Sequence, residues 1–223
     1  MIVISHRGWW LRDDERNRRE AFHRSFDAGF GTETDLRDIC GTIVISHDMP
    51  TGEEMTLEDL LAVMDGRNLP LALNIKADGM AQTIRRILAA AGHTNYFTFD
   101  MSIPDEVVQL AAGLPVFTGL SDLLTVPPML DEARGVWLDA FRGVWYDGAL
   151  IRSLLEQGKR VCVVSEELHR RDPRAQWEML RATAPIGDDR LILCSDIPQQ
   201  AQDFFGNGSP ASFSSDFSQG NAL

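Results

Sequence analysis

Short apolar runs alternate with amphipathic stretches along most of the chain. Runs rich in β-branched, aromatic and aliphatic residues are typical of strands, and they cover residues 2–5, 31–36, 42–46, 69–75, 96–99, 115–119, 136–140, 160–164 and 190–194. Between them, apolar residues recur at helical spacing at 17–29, 56–66, 78–92, 103–113, 126–134, 147–158, 173–183 and 197–206. The pattern predicts a regular β–α alternation.

This alternation implies parallel strands that are joined by right-handed helical crossovers. The run at 42–46 is best taken as a second leg of the second strand region, which leaves close to eight β–α repeats. We therefore predict a single-domain α/β fold, a (β/α)8 TIM barrel over residues 1–205, with a doubly wound open sheet as the alternative. Residues 206–223 lose the periodicity and form a Gly/Ser-rich C-terminal tail, a linker or an extended arm.

Polar side chains end the inward-facing rows of the early strands. In a barrel, every second residue faces inward, and catalytic groups gather at the carboxyl ends of the strands. The residues that this rule brings to one rim are His6, Glu33 with Asp35, His47, and Asn74 with Lys76. Each of them alone is more often a hydrogen-bonded or ion-paired structural group, but their joint placement indicates a site.

The acidic members of this group predict a metal site. Glu33 and Asp35 with the side-chain oxygen of Asn74 form a set of ligands for one divalent cation, Mg²⁺ or Ca²⁺, because such cations prefer oxygen. Asp100 and Asp139 also end predicted strands and are possible additional ligands.

The remaining members predict chemistry on a phosphate group. His6 and His47 would act as a general acid and base, and Arg7 and Lys76 would bind an anionic, phosphate-like group. Trp9, close to His6, is a candidate platform for the substrate. A metal, two histidines and cations around a phosphate would form a centre that cleaves phosphodiesters.

Three further residues are predicted to have no catalytic role. Cys162 and Cys194 lie in apolar runs and are expected to be buried structural thiols. His169 follows the run at 160–164 and is predicted to lie in a surface loop, with a position at the rim as the alternative.

Composition narrows the classes of partner. The 223 residues include 21 Lys and Arg against 33 Asp and Glu, so the net charge is −12. This excess of acid argues against a nucleic-acid binder and against docking by charge on an anionic membrane. No apolar run reaches the roughly 18 residues of a membrane span, and the N-terminus lacks the basic region of a secretory signal. We expect a cytoplasmic protein with a small-molecule phosphodiester as its partner.

The ordered motifs also resemble those of the glycerophosphodiester phosphodiesterase family. The matching elements are His6-Arg7-Gly8, Asn17 with Ala21-Phe22, Glu33 and Asp35, His47-Asp48, Ile75-Lys76, and the closing CSDIP at 194–198. The resemblance implies a TIM-barrel hydrolase that needs a divalent cation. It implies His6 and His47 as the acid–base pair, Glu33 and Asp35 as metal ligands, and Arg7 and Lys76 as phosphate contacts.

Two departures from the family pattern bear on function. Asn74 stands where the family commonly has Glu, which removes one negative charge from the metal site. The small subdomain that often follows the HD motif is absent, so we expect a more open site and a less certain preference for glycerol. We therefore predict a metal-dependent phosphodiesterase acting on a glycerophosphodiester or a related small or lipid-derived phosphodiester. The alternatives are a sphingomyelinase-D-like phospholipase, a degenerate barrel that binds a phosphorylated ligand, and a different barrel enzyme.

Overall fold

A computed structural model of the chain describes residues 1–183 and 188–206. The strands are β1 Ile2–His6, β2 Gly31–Ile39, β3 Thr42–Ile45, β4 Leu71–Ile75, β5 Tyr96–Phe99, β6 Phe117–Leu120, β7 Gly135–Leu138, β8 Arg160–Val164 and β9 Leu191–Ser195. The helices are α1 Arg19–Asp27, α2 Leu57–Met64, α3 Ala81–Ala90, α4 Ile103–Ala111, α5 Gly148–Glu156, α6 Arg174–Thr183 and α7 Pro198–Gly206. The predicted tail lies outside the described residues except for Gly206, which ends α7.

Eight of the strands form one parallel sheet that curves into a nearly closed barrel. Its order is β5-β4-β2-β1-β9-β8-β7-β6. The two ends meet because Thr98 pairs with Val116 in a parallel bridge, and its amide donates to the carbonyl of Pro115 at 3.1 Å. The strand order and the alternating helices confirm the predicted (β/α)8 barrel and exclude the open sheet.

The remaining strand, β3, extends the barrel beyond its rim. It pairs antiparallel with the second half of β2, from Leu36 with Ile45 to Ile39 with Thr42. The chain reverses at 40–41, where both residues have positive φ angles of 49° and 86°. The second leg of this strand region is therefore confirmed, and it leads the chain back to the rim at Ser46, whose amide donates to the carbonyl of Asp35 at 3.0 Å.

One predicted helix is wrong. Residues 126–134 connect β6 to β7 through turns, with a single α-turn between the Ala133 amide and the Met129 carbonyl. The physical reason is the pair Pro127-Pro128. A proline disfavours the helical conformation in the residue before it, and the six residues that remain before β7 are too few for a stable helix.

The helices pack their apolar faces on the outside of the barrel. On one side the buried residues include Phe22 of α1, Leu60 of α2 and Ile84 of α3, and on the other they include Ile151 of α5 and Trp177 of α6. The start of α2 is fixed by a capping box, because the Thr56 hydroxyl accepts from the Asp59 amide at 3.0 Å and the Asp59 carboxylate accepts from the Thr56 amide at 3.1 Å. None of the described helices is both long and apolar enough to cross a membrane.

Aromatic rings fill one half of the barrel interior. Phe97 stacks on Phe117 with centroids 3.8 Å apart, and Phe99 stacks on Trp137 at 3.7 Å. Gly135 leaves room for this packing, since a Cβ there would lie 2.7 Å from the Phe117 ring. These rings form an apolar floor below the carboxyl ends of the strands.

The other half of the interior is lined by aliphatic residues and by Cys162 and Cys194. Both cysteines are fully buried, as predicted, and burial raises the pKa of both thiols well above the ordinary value. A thiol that stays protonated is a poor nucleophile, so these cysteines contribute packing.

Candidate active site

A cavity of about 380 Å³ opens at the carboxyl ends of the strands. One wall is polar and comes from the early strands, with His6, Glu33, Asn74, Lys76 and Asp100. The opposite wall comes from the later strands and their loops, with Leu120, Leu123, Leu124, Trp137, Asp139, Phe141, Leu168 and His169 among its residues. The carboxyl ends of barrel strands are where active sites form in this fold.

Strand register brings the polar wall together. His6 pairs with Glu33 across β1 and β2, and Asp35 pairs with Asn74 across β2 and β4. Because side chains in register on neighbouring parallel strands point the same way, two layers of polar groups lie one above the other inside the rim. The register therefore agrees with the rule of alternating residues for His6, Glu33, Asp35 and Asn74.

One carboxylate holds the ring of His6, and a second lies near its other nitrogen. Its Nδ1 lies 2.7 Å from the Asp196 Oδ1, and its Nε2 lies 3.7 Å from the Glu33 Oε2. Asp196 is held in turn by the buried Glu167, which accepts from the Asp196 amide at 3.2 Å and from the Ser195 hydroxyl at 2.6 Å. The sequence contained Asp196 within the CSDIP motif, but its contact with a histidine 190 residues away had no local signal.

Asp35 is fully buried and surrounded by donors. Its Oδ2 lies 2.9 Å from the Arg7 Nε and accepts from the Asn17 amide at 2.9 Å, and its Oδ1 lies 3.7 Å from the Lys76 Nζ. Lys76 also donates to Asp100 at 3.1 Å. The two predicted phosphate-binding residues, Arg7 and Lys76, are therefore paired with carboxylates at the rim. Asp100 is an ion-pair partner of Lys76.

Each of the three predicted metal ligands has one buried oxygen without a hydrogen-bond partner among the described residues. These atoms are the Glu33 Oε2, the Asp35 Oδ1 and the Asn74 Oδ1. Buried oxygens without partners are costly and rare in folded proteins. Burial, with a smaller contribution from the charge of Asp35, raises the pKa of Glu33 to about 7.

This donor set fits a hard cation in its chemistry, since carboxylate and amide oxygens are what Mg²⁺ and Ca²⁺ bind. In the described ranges, however, no group of three or more His, Cys, Asp or Glu side chains is arranged to hold a metal ion. The candidate set contains two carboxylates, Glu33 and Asp35, and completes its third position with the amide of Asn74.

His47 and Trp9 lie outside the residues that line the cavity. The His47 side chain is 48% exposed, and its Nδ1 lies 2.9 Å from the Asp48 carboxylate, whose pKa is lowered by that hydrogen bond. Trp9 packs edge-on against Phe30, with ring centroids 5.9 Å apart. Of the predicted site residues, His6, Glu33, Asn74 and Lys76 thus line the cavity, whereas Asp35, Arg7, His47 and Trp9 are not among its lining residues.

His169 was predicted to lie in a surface loop, and that prediction is wrong. It ends a short 3₁₀ helix over Glu166–His169 and lines the cavity, with its Nε2 2.7 Å from the Asp139 Oδ1. Asp139 is therefore engaged by a histidine and by the Ala140 amide at 2.6 Å. The only sequence signal for this pair was that both residues follow the ends of strands.

Comparison with known proteins gives the fold. No family model matches the chain, and no curated protein matches it in sequence. A glycerophosphodiester phosphodiesterase from Agrobacterium tumefaciens superposes with a TM-score of 0.68 and 14% identity over 93% of this chain and 100% of the other. A phosphodiesterase from Oleispira antarctica, in complex with the product sn-glycerol-3-phosphate, superposes with a TM-score of 0.66 and 15% identity over 93% of this chain and 97% of the other.

Two structures with lower TM-scores show that the likeness concerns the fold. A Ca²⁺-dependent phosphatidylinositol-specific phospholipase C from Streptomyces antibioticus has a TM-score of 0.51 at 10% identity over 90% of this chain and 95% of the other. A phosphoribosyl anthranilate isomerase from Thermus thermophilus also has a TM-score of 0.51, at 15% identity over 92% of this chain and 97% of the other. The chain therefore has the barrel fold of the glycerophosphodiester phosphodiesterases. Since an isomerase shares this barrel, the reaction must be argued from the site.

Proposed function

We propose that this protein is a metal-dependent phosphodiesterase that hydrolyses a glycerophosphodiester or a related small or lipid-derived phosphodiester. The observation that carries the proposal is the set of three buried, unpartnered oxygens on Glu33, Asp35 and Asn74 in the layers beside His6. The neighbour from Oleispira antarctica with bound sn-glycerol-3-phosphate supports a small phosphorylated ligand. We further infer from the net charge of −12 that the protein has no nucleic-acid partner. A cytoplasmic location stays a prediction from the sequence.

The three oxygens would hold one Mg²⁺ or Ca²⁺ ion. A bound divalent cation supplies Lewis-acid stabilisation of the negative charge that grows on the phosphoryl oxygens. Because Asn74 contributes no charge, we expect weaker metal binding than three carboxylates would give. Arg7 and Lys76 balance Asp35 in the free protein and would face the additional negative charge of a bound phosphate.

His6 is the proton-transfer group that the geometry supports best. Asp196 holds one ring nitrogen, which fixes the orientation of the ring. The other nitrogen faces the cavity on the side of Glu33. His47 as the second member of the pair and Trp9 as a substrate contact stay predictions from the sequence.

A specific observation favours the lipid-derived candidate among the substrates. Leu123, Leu124 and Phe141 line the cavity and are exposed, and Val126 and Val144 are exposed in the same two loops. Exposed apolar side chains beside a phosphate site fit an alcohol that carries an acyl or alkyl chain. A degenerate barrel that only binds a phosphorylated ligand is the remaining alternative.

The test is hydrolysis of bis(p-nitrophenyl) phosphate, glycerophosphocholine and a lysophosphatidylcholine, with Mg²⁺, Ca²⁺ or Mn²⁺ and with EDTA. We expect metal-dependent release that EDTA abolishes and that Glu33→Ala and His6→Ala reduce by at least about 100-fold. Glu58→Ala, which removes an exposed carboxylate on α2, is the matched control. Preference for the lysolipid would select the lipid-derived substrate, and binding of glycerol 3-phosphate without any turnover would select the degenerate barrel.

A further inference from the structure

Two histidine–carboxylate pairs face the same cavity from opposite walls. The His6 Nδ1 lies 2.7 Å from Asp196, and the His169 Nε2 lies 2.7 Å from Asp139. The two histidine side chains are similarly shielded, at 17% and 21% exposed. The second ring nitrogen of His169, Nδ1, has no hydrogen-bond partner within the described part of the chain. His169 is therefore oriented on one side and free on the other, as a proton-transfer group must be.

The walls that carry the two pairs differ in chemistry. The His6 wall carries the unpartnered oxygens of Glu33 and Asn74 and the ammonium group of Lys76, so the phosphate of a substrate belongs there. His169 lies among apolar side chains, with its ring centroid 5.5 Å from that of Phe141 and with Trp137 on the same wall. The alcohol half of a phosphodiester would therefore lie against His169.

The segment that bears His169 is fixed to the end of β7. Arg171 forms an ion pair with the buried Glu166 at 2.6 Å and donates to the carbonyls of Ala140 and Phe141. Asp139 precedes these carbonyls, so the same contacts hold both members of the His169–Asp139 pair. Groups that are held by surrounding hydrogen bonds in this way are preorganised for function.

We propose that His169 is a second proton-transfer residue of this site and protonates the leaving alcohol, with Asp139 as its positioning residue. The proposal rests on the proposed phosphodiesterase function. A water oxygen forms a bond to phosphorus and its proton passes to His6, the bond from phosphorus to the alcohol oxygen breaks, and that oxygen takes a proton from His169. The products are a phosphomonoester and an alcohol, and both histidines return to their starting states by exchange with solvent.

The test compares two glycerophosphodiesters that differ in the leaving group, p-nitrophenol and choline, under the same saturating metal. Nitrophenolate leaves without a proton, whereas an alkyl alcohol needs one. For His169→Gln we expect kcat/KM to fall by about 100-fold or more with the choline ester and by less than about fivefold with the p-nitrophenyl ester. Asp139→Asn should show the same dependence on the leaving group with a smaller loss, and His23→Gln, an exposed histidine on α1, should change neither.

The outcomes separate this inference from the proposed function. An equal loss with both esters in His169→Gln and Asp139→Asn would overturn the proton-donor role and leave a structural one. A loss confined to the choline ester in His47→Gln, and absent in His169→Gln, would assign the role to His47 instead. If the wild-type protein hydrolyses neither ester with any metal, the phosphodiesterase function itself fails and this inference fails with it. Activity of His169→Gln on the p-nitrophenyl ester also shows that the variant is folded.

Discussion

Glu33 provides a test of the candidate metal site that does not depend on catalysis. In the metal-free protein, its carboxyl group is fully buried beside Asp35, and its pKa is raised from 4.5 to about 7. The perturbation is Glu33→Gln, which keeps the shape of the side chain and removes its charge. Because the cause of the raised pKa is burial, the variant should remove a pH dependence of stability that the wild-type protein has.

The sign and size of this pH dependence of stability follow from proton linkage. Between pH 4.5 and pH 7, the folded protein keeps the proton on Glu33 and the unfolded chain has lost it, so the folded state binds more protons. The free energy of unfolding therefore falls as the pH rises through this window, by about 1.4 kcal/mol for each pH unit and by about 3 kcal/mol in total. In Glu33→Gln this contribution is absent, so the variant should gain about 3 kcal/mol over the wild type between pH 5 and pH 8.

The assay is urea unfolding of both proteins in EDTA at pH 5, 6, 7 and 8, analysed as the difference between them at each pH. Taking the difference cancels the titration of the other groups that both proteins share. Glu58→Gln, at an exposed position of α2, is the charge-matched control and should run parallel to the wild type. A difference between wild type and Glu33→Gln that is the same at pH 5 and pH 8 would refute the reasoning.

Adding a cation should offset the loss of stability at high pH in the wild-type protein but not in Glu33→Gln. Since metal and proton compete for the Glu33 carboxylate, millimolar Mg²⁺ or Ca²⁺ should raise the melting temperature more at pH 8 than at pH 6. Stabilisation reaches about 2.7 kcal/mol when the cation is at 100 times its Kd. An equal rise in Glu33→Gln would mean that the cation binds elsewhere.

Three other substitutions test parts of the fold and site. Asp196→Asn should lower kcat on glycerophosphocholine by about 100-fold without unfolding the protein, because it removes the carboxylate that orients His6; unchanged kcat would remove Asp196 from the site. Thr56→Ala should reduce the free energy of unfolding by about 1 kcal/mol in urea, because it removes the hydroxyl that accepts from the Asp59 amide; no change would show that solvent replaces this bond. Gly31→Ala should cost about 2 kcal/mol and lower the melting temperature, because its Cβ would lie 2.2 Å from the Pro70 carbonyl oxygen; a wild-type melting temperature would contradict that packing.

The period of the hydrophobic pattern predicted the strands well because the barrel strands are short, apolar and flanked by glycine or polar residues. The same pattern failed at 126–134, where Met129, Leu130 and Ala133 keep a helical spacing but two prolines precede them. Here the local backbone chemistry of proline outweighs the spacing of apolar residues. The pattern also could not show that the extra leg at Thr42–Ile45 runs antiparallel above the rim, which depends on the reversal at 40–41.

In the site, the alternation rule held as far as the regular strands extend. It placed His6, Glu33 and Asn74 in the cavity, but it failed for His47, which follows β3 and is not among the residues that line the cavity. Trp9 was a candidate because it is close to His6 in sequence, but the chain turns between them, where Arg7 and Gly8 both have positive φ angles, 59° and 82°. Gly8 is needed in that turn, since a Cβ there would lie 2.8 Å from the Cβ of Ala21 on α1.

The contacts between strands that are far apart in sequence could not be predicted from any local pattern. They give the site two walls of different chemistry. The family-like motifs lie in the first part of the chain and directly after the last strand, and those at the ends of β1, β2 and β4 build the polar wall around His6. The opposite wall comes from the middle of the chain, where Leu123 and Leu124 in the loop after β6 are exposed at the cavity and where His169 and Asp139 meet. Under the proposed function the phosphate would be bound by the first wall and the alcohol by the second, so the side chains of the second wall would select which alcohol is released. Asn74 lies on the first wall, so this departure from the family pattern bears on the metal and not on the choice of alcohol.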